Sequence, residues 1–231
     1  MLGTIVNALV VLVGGVIGNL VKQGFPERIK NTIMQGLALA VVLIGLSMAL
    51  KTQNVMITIG SLVLGAIVGE LLDIELQLNR VGAWLESKFG GQQGEFGRGF
   101  VTASLMYCVG AMAIMGSLQG GLEGKHDILF AKSMLDGISA IVFASTMGLG
   151  VAFAAIPVLV YQGSIALLAS WIAILLTPSI IAEMSAAGGL LILGLGFNML
   201  GMAKVKVGNL LPAIFAPIII MYAQQLVTAL R

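Results

Sequence analysis

The segment AKSMLDGISAIVFASTMGLG, residues 131–150, decides the fold of this chain. It opens with Lys132 and Asp136, four residues apart, and continues as a run of apolar and small residues. An α-helix needs about 20 apolar residues to cross the hydrocarbon layer of a membrane. The segment therefore predicts a membrane-spanning helix over residues 134–154, with Lys132 just before its start and Asp136 in its first turn.

The composition extends this interpretation to the whole chain. Of its 231 residues, 58% are hydrophobic and 10% are charged, whereas about a quarter are charged in a soluble domain. The 31 glycines and the low aromatic content of 6% favour closely packed helices over a β-barrel with aromatic girdles. The net charge of +2 without a basic run argues against nucleic acid as a partner. The chain is predicted to be an integral membrane protein in contact with the lipid bilayer.

Eight segments are apolar and long enough to span a membrane, which predicts an all-α, polytopic transmembrane helix bundle. They are residues 2–21, 32–50, 55–72, 99–118, 134–154, 156–176, 184–202 and 207–229. The first lacks the basic start and small-residue cleavage site of a signal peptide, so it is interpreted as a membrane helix. Pro212 and Pro217 predict a kinked or broken helix in the last segment.

One further helix is predicted outside the spans. In IELQLNRVGAWLESKF, residues 74–89, the apolar residues recur at helical spacing, which indicates an amphipathic helix in the membrane interface with Trp84 near the headgroups. The next residues, GGQQGEFGRG at 90–99, form a Gly-rich linker. With eight spans, the loops carry eight Lys and Arg residues on one side and four on the other. The richer side is expected to be cytoplasmic, which places both termini outside.

Short similarities on the two sides of the linker indicate an internal repeat. GTIVNALVVLVGG from Gly3 resembles GFVTASLMYCVGA from Gly99, and TIMQGLALAVV resembles SMLDGISAIVF, which aligns Gln35 with Asp136. Because each repeat has three spans, the second must have inverted topology, as in many secondary transporters. The predicted blocks are repeat one at 1–73, the interfacial helix and linker at 74–98, repeat two at 99–176 and two added helices at 177–231. A second alignment, which pairs the third span with AAGGLLILGLG of the seventh, stays open.

The opening segment also supplies the main candidate site. At 100° per residue, one stripe of its helix carries Lys132, Asp136, Ser139 and Thr146. Ionisable groups at membrane depth are costly and usually face a bundle interior or an aqueous cavity. A carboxylate with hydroxyl groups suits a hard cation or a proton relay. The alternative is an i,i+4 pair that anchors the helix at the interface, with hydroxyls bonded back to the helix.

Other spans contribute further polar candidates. The candidate ligands are Asn7, Tyr161, Gln162, Asn198 and Asn209, and the candidate pathway acids are Glu70, Asp73 and Glu183. For Asn7, on a Gly-rich helix face, the alternative is an interhelical hydrogen bond. For the acids, the alternatives are an interfacial position and, at Glu183, capping of a helix N-terminus. His126 lies in a polar loop and is interpreted as solvated, since a metal site would need more ligands.

The chain shows no sign of being an enzyme. It contains no phosphate-binding Gly-Lys-Ser/Thr loop and no HExxH motif, and its single histidine does not complete a Ser-His-Asp set. Asp73 and Asp136 could formally pair as a protease dyad, but no motif supports that role. No cofactor is expected.

Several segments resemble one known family. YCVGAMAIMGSLQGGLEG, KSMLDGISAIVFASTMGLGVAF, PVLVYQG and GNLLPAIF are similar to the bacterial membrane family named domain of unknown function 554. The resemblance covers essentially the whole chain and implies a transport protein of the bacterial inner membrane. It supplies no substrate. The matching motif positions are Lys132, Asp136, Gly137, Tyr161, Gln162, Gly163, Asn209 and Pro212.

These observations favour a secondary, ion- or proton-coupled transporter of a small solute or ion. Asp136 would bind a proton or cation near the repeat interface. Lys132 would tune its pKa or pair with it in one state, while Ser139, Thr146 and Gln162 would complete the coordination. The Gly-rich faces favour a homo-oligomer. Two alternatives stay open, which are a passive ion channel and a membrane scaffold or sensor that transports nothing.

Overall fold

The structure is a computed structural model that describes residues 1–22, 26–89 and 95–229, which form helices joined by turns and loops, with no strand among them. The α-helices are α1 Leu2–Lys22, α2 Glu27–Ala49, α3 Val55–Leu72, α4 Ile74–Phe89, α5 Glu95–Cys108, α6 Ala111–Leu122, α7 Asp127–Met147, α8 Gly150–Phe153, α9 Ala155–Leu167, α10 Ala169–Ile172, α11 Pro178–Met199 and α12 Ala216–Ala229. A 3₁₀ helix at Gly208–Ile214 precedes α12.

The helices confirm a polytopic helical membrane protein. Within the described residues, seven helical segments are long and apolar enough to cross a membrane, or eight if the bent pair α5–α6 is one span. Each of the eight predicted spans overlaps one of these segments. Helix α4 has the predicted bounds of the amphipathic segment, and its position in the interface stays a prediction.

Two boundaries differ from the prediction in a way that matters for function. Helix α7 begins at Asp127 and ends at Met147, where Gly148 adopts a positive φ of 79°. The predicted span 134–154 was therefore displaced by seven residues, because a hydropathy window treats Lys132 and Asp136 as exterior charges. Asp136 is instead the tenth of the 21 residues of α7. It lies roughly 14 Å along the helix axis from Asp127, about half the thickness of the hydrocarbon layer.

Two of the spans are interrupted, one at a glycine and one at a proline. Helices α5 and α6 are separated at Val109 and Gly110, and Gly110 has a φ of 137° that favours glycine. The predicted break near Pro212 is confirmed, because that residue lies in the 3₁₀ helix and α12 starts only at Ala216. The Gly-rich linker is shorter than predicted. Helix α5 already begins at Glu95, while residues 90–94 lie outside the described residues.

The chain forms two compact units, of which the first comprises Met1–Leu37 and Leu78–Ile172. Its centre is the contact between α1 and α7. A Cβ atom on Gly14 would lie 2.6 Å from the carbonyl oxygen of Gly137, and one on Gly18 would clash with the carbonyl of Ile141. The two helices thus approach so closely that only glycine fits at these positions.

The direction of α1 and α7 fixes how often the chain crosses the membrane between them. Gly3 packs on Leu129 and Gly14 packs on Gly137, so the two helices run parallel. Parallel spans require an odd number of crossings between them. Helices α2 and α3 supply two, and α4 is short and charged. The broken pair α5–α6 therefore crosses once, which favours eight spans.

The second unit comprises Ala38–Gln77 and Ala173–Arg231. Within it, α3 runs antiparallel to the 3₁₀ helix, with Gly65 against Ala213 and Gly69 against the Asn209 carbonyl. The part of α2 in this unit packs on α11 through Gly45 and Gly189. The repeat blocks and domain bounds stay predictions, since a packing unit is a different property from internal symmetry.

Candidate functional site

The centre of the first unit contains a buried ion pair on α7. The ammonium group of Lys132 contacts Asp136 Oδ2, and the two side chains are 7% and 10% exposed. One helical turn separates the residues, as the sequence spacing predicts. Because both side chains are buried inside the unit and Asp136 lies near the middle of α7, the geometry differs from that of a solvated anchor at a helix end.

Two fully buried amides extend this pair to other helices. Asn7 Nδ2, on α1, donates to Asp136 Oδ2 at 3.0 Å and to Gln162 Oε1, on α9, at 3.3 Å. The second atom of each amide, Asn7 Oδ1 and Gln162 Nε2, has no partner among the described residues. An unsatisfied buried polar atom costs about 1–3 kcal/mol. The cluster therefore presents one free acceptor and one free donor next to a carboxylate.

Tyr107 and Ser139 complete the group. Ser139 Oγ lies 3.3 Å from Tyr107 Oη and donates to the Asp136 carbonyl at 2.9 Å, while Lys132 Nζ is 5.9 Å from the Tyr107 ring centroid. Tyr107 is the penultimate residue of α5, just before the break in that span. Broken helices at membrane depth expose backbone groups that can bind ligands. We call Asn7, Tyr107, Lys132, Asp136, Ser139 and Gln162 the Asp136 cluster.

The electrostatics of the cluster rest on the ion pair. The lysine and aspartate neutralise each other, which makes their burial tolerable only with good geometry and additional hydrogen bonds. Asn7 supplies such a bond to the carboxylate. Removal of one charge would leave the other uncompensated. A proton or cation that arrives at Asp136 therefore competes directly with Lys132.

The predicted stripe on α7 ends at Ser139. Thr146 donates to the Phe143 carbonyl at 2.9 Å, so its hydroxyl is satisfied by its own helix and the structure does not bring it into the cluster. Tyr161 is half-buried beside Gln162 and takes no part in the hydrogen bonds described for the cluster. The alternative of back-bonded hydroxyls thus applies to Thr146 and also to Ser139, whose bond to the Asp136 carbonyl is of the same kind, although Ser139 lies beside Tyr107 as well.

Glu183 forms a separate buried site in the second unit. Its carboxylate is 1% exposed and accepts from the backbone amides of Gln53 and Asn54 at 2.6 and 2.9 Å. The hydroxyls of Thr52 and Thr58 donate to its other oxygen at 2.8 and 2.9 Å. The acid lies at the N-terminus of α3, where the helix dipole favours an anion, rather than at the start of its own helix. Four donors leave it little capacity for a ligand.

The remaining predicted acids surround the end of α3. Glu70 pairs with Lys206 at 2.6 Å and accepts from Asn209 Nδ2 at 2.6 Å. Asn209 Oδ1 accepts from the Glu75 backbone amide at 2.7 Å, so both ends of this amide are used. The hydrogen bond and the charge of Glu70 raise the pKa of Lys206. Asp73 caps α3 in the left-handed conformation, with a φ of 49°.

Asn198, a predicted ligand, and His126, predicted to be a solvated loop residue, are not members of the Asp136 cluster. Asn198 holds the turn after α11, because it donates to the Val205 carbonyl at 2.7 Å and accepts from the Val205 amide at 2.8 Å. His126, expected to be solvated, is half-buried and its Nδ1 is enclosed. Among the described residues, no three His, Cys, Asp or Glu side chains lie close enough to hold a metal ion.

Sequence reasoning flagged most members of the Asp136 cluster individually but missed Tyr107. A signal was available. This tyrosine stands in the segment YCVGA immediately before Gly110, at the point where a span with an internal glycine can break.

Comparison with known proteins places the chain in a family. The family model described as "Protein of unknown function (DUF554)" matches residues 2–222. The uncharacterized membrane protein YdfK of Bacillus subtilis (strain 168) is 33% identical over 226 residues, which cover 96% of each chain. The uncharacterized protein YqgA of Escherichia coli (strain K12) is 34% identical over 218 residues, which cover 92% of this chain and 93% of YqgA. No solved structure matches. This multi-pass membrane protein therefore belongs to the DUF554 family.

Proposed function

We propose that this protein is a secondary transporter that moves a small polar solute or ion in exchange for, or together with, a proton or monovalent cation. One observation supports this function above all. In the middle of a membrane span, a buried carboxylate is bonded to both a lysine and an amide, and two further amide atoms beside it have no partner in the described chain. Polar groups at such depth are functional sites by default.

The geometry suggests how coupling would work. Asp136 holds Lys132 in the present arrangement. When a proton or cation binds the carboxylate, the ammonium group loses its partner and must find another. A cation would take the Asp136 carboxylate and Asn7 Oδ1, the oxygen without a hydrogen-bond partner in the described chain, as oxygen ligands. Because Asn7 joins α1 to both α7 and α9, occupancy of the site would change the packing of three helices and so shift a conformational equilibrium.

The location and assembly follow from the same proposal. We place the protein in the bacterial inner membrane with both termini on the extracytoplasmic side. Lys132 lies inside α7 and no longer counts as a loop residue. Arg98 lies inside α5 and drops out in the same way, so three basic residues remain on the side of the termini and seven on the other side, which favours this orientation. We also propose a homo-oligomer, since a Cβ atom added at Gly36 on α2 would meet nothing within 4 Å, which leaves a small-residue position open.

Thermal unfolding of the purified protein in detergent tests the function. The probes are pH, Na⁺, K⁺, Li⁺ and a panel of small carboxylates, amino acids and inorganic anions. A probe that binds only the folded state stabilises it by about 2.7 kcal/mol at 100 times its dissociation constant. We expect at least one probe to raise the melting temperature of the wild type and to lose this effect in Asp136→Asn.

The matched control is Ser133→Ala, on the same helix, whose hydroxyl bonds to the Leu129 carbonyl at 2.7 Å and not to the cluster. This variant should keep the response of the wild type. If Asp136→Asn folds and responds to every active probe as the wild type does, the Asp136 cluster is not the binding site.

A further inference from the structure

The Lys132 ammonium group lies beside two groups of different chemistry in the described chain. One is the Asp136 carboxylate on its own helix. The other is the ring of Tyr107 on α5, whose centroid lies 5.9 Å from Lys132 Nζ. A cation within about 6 Å of an aromatic centroid is attracted by the negative face of the ring. The lysine therefore has a charged partner and an aromatic one.

The position of Tyr107 is fixed against α7 independently of the ion pair. The residue is 1% exposed, and its hydroxyl lies 3.3 Å from Ser139 Oγ. Lys132 and Ser139 are seven residues apart on α7, which is about two helical turns. Tyr107 thus lies along α7, with its ring beside the lysine and its hydroxyl beside the serine, and Asp136 lies between these two positions. A ring held in this way keeps its face toward the ammonium group when the carboxylate changes its charge.

The end of α5 also favours a cation at this ring. Tyr107 is the penultimate residue of α5, which ends at Cys108 just before the break at Gly110. The last carbonyl groups of a helix have no partner within it, and its C-terminus carries the negative end of the helix dipole. A positive charge on the Tyr107 ring is therefore stabilised by the ring and by the helix end together.

Few other groups compete for the lysine. Among the described residues, Lys132 forms an ion pair with Asp136 and with no second acid. Of the helices packed on α7, α6 and α8 contain no titratable side chain, and α1 reaches the pair with the uncharged amide of Asn7. Helix α5 contributes Tyr107 and the Cys108 thiol, which is close enough to interact with both charges. The Tyr107 ring is the group whose face lies next to the ammonium.

We propose that Tyr107 is the second partner of Lys132. When Asp136 is occupied by a proton or cation, the ammonium group leaves the carboxylate for the Tyr107 ring at the end of α5, and it returns when Asp136 is vacated. Tyr107 is thus a positioning residue that stabilises a buried positive charge in the state without the ion pair. The exchange of partners rests on the geometry of Lys132, and its use in coupling rests on the proposed function.

Unfolding equilibria in mixed micelles test the second partner without a transport assay. Asp136→Asn represents the occupied carboxylate, because it removes the charge and keeps the shape. In this background and in Lys132→Met/Asp136→Asn, Tyr107→Leu, which removes the ring, is compared with Tyr107→Phe, which keeps it. The ratio of their unfolding constants reports the ring, and the cost of the smaller side chain is common to both backgrounds.

We expect this ratio to be at least about tenfold larger with Lys132 present than with Lys132→Met, because a cation–π contact is strongest when both groups are desolvated. The matched control is Tyr161, a half-buried tyrosine on α9, whose Leu-to-Phe ratio should be the same in both backgrounds. Equal ratios at Tyr107 would overturn the proposal, since the ring would then have only a packing role. Tyr107→Met replaces Tyr107→Leu if the leucine variant does not fold.

Nuclear magnetic resonance of the lysine side chain gives a second readout that a packing role would not change. In protein labelled with ¹³C at lysine Cε, the Lys132 signal is identified by its loss in Lys132→Met. It should move upfield in Asp136→Asn through the ring current of Tyr107, and this shift should disappear when Tyr107→Leu is added. If Asp136→Asn does not fold, the signal is followed in the wild type as the pH is lowered to protonate Asp136.

The two arms separate this proposal from the proposed function. A Lys132 signal that keeps its position in Asp136→Asn, or in the wild type until the protein unfolds in acid, would overturn the second partner. A shifted signal together with thermal unfolding that responds to no probe would retain the second partner and reject the proposed function.

Discussion

The burial of the Lys132–Asp136 pair makes a strong prediction about its energetics. Both side chains are at most 10% exposed, so the loss of either charge leaves the other buried without its counter-charge. Such a loss costs about 3–5 kcal/mol, while simultaneous removal of both charges is often nearly neutral. We therefore expect Lys132→Met and Asp136→Asn each to lower the free energy of unfolding by about 3–5 kcal/mol. The double variant should recover most of that loss.

The assay is reversible unfolding in mixed micelles of mild detergent and dodecyl sulfate, with all four proteins compared as a double-mutant cycle. Lys125→Met is the control, because this lysine pairs with Glu123 at 3.1 Å while 64% of its side chain is exposed. An exposed pair contributes about 0–1 kcal/mol. If the single variants at Lys132 and Asp136 cost no more than the control, the pair is hydrated and the argument from burial is refuted.

Four further variants probe the packing and the second unit. Gly14→Ala should destabilise the protein by about 1–3 kcal/mol in the same assay, because its new methyl group overlaps a facing carbonyl. Gly36→Ala, in open space, should instead stabilise it by up to about 1 kcal/mol. Equal effects of the two variants would contradict the packing of α1 on α7. Glu183→Gln should cost about 1–3 kcal/mol, because an amide cannot accept from four donors; an unchanged unfolding curve would contradict this. Pairing with Glu70 raises the pKa of Lys206. The contribution of this ion pair to the stability of the folded state is therefore complete below the unfolded lysine pKa of about 10.4, and it is lost as pH rises through the pKa of Lys206 in the folded state. Melting scans between about pH 9 and 12 should show this loss in the wild type and not in Glu70→Gln, and identical pH profiles would refute it.

The fold was largely predictable because bilayer thickness imposes a length on every span. Among the described residues, hydropathy located the seven candidate membrane spans and the bent pair α5–α6, and helical periodicity located α4 at its observed bounds. The start of α7 was misplaced for a physical reason. A window that sums residue hydropathies assigns the full penalty to Lys132 and Asp136, although two opposite charges one turn apart neutralise each other when the unit buries them. A sequence window cannot represent that cancellation.

The individual residues of the Asp136 cluster could be predicted from the sequence, but the contacts that bring them together could not. Asn7, Asp136 and Gln162 could each be recognised as polar groups within an apolar span, yet the hydrogen bonds that join them connect residues 129 and 155 positions apart. Thr146 shows the opposite error, because the sequence predicts it for the site and the structure leaves it outside the cluster. It shares the stripe of Asp136, but whether a hydroxyl bonds to its own helix or to a neighbour depends on what packs against it. Tertiary contacts decide both cases.

The pairing of α1 with α7 also has a consequence for how the protein is made. Asn7 emerges from the ribosome 129 residues before Asp136, and chains grow at roughly 5–20 residues per second. For a time on the order of ten seconds, α1 therefore lies in the bilayer before α7 is made. During this time the Asn7 amide and the glycine face of α1 lack the helix that covers them in the folded protein. An interhelical hydrogen bond in lipid contributes only about 1 kcal/mol, so the waiting helix can pair with any polar neighbour that diffuses past. Biogenesis of this protein thus depends on α1 not pairing with another helix before α7, the fifth span, is inserted. Truncation before residue 127 would leave α1 permanently without its partner.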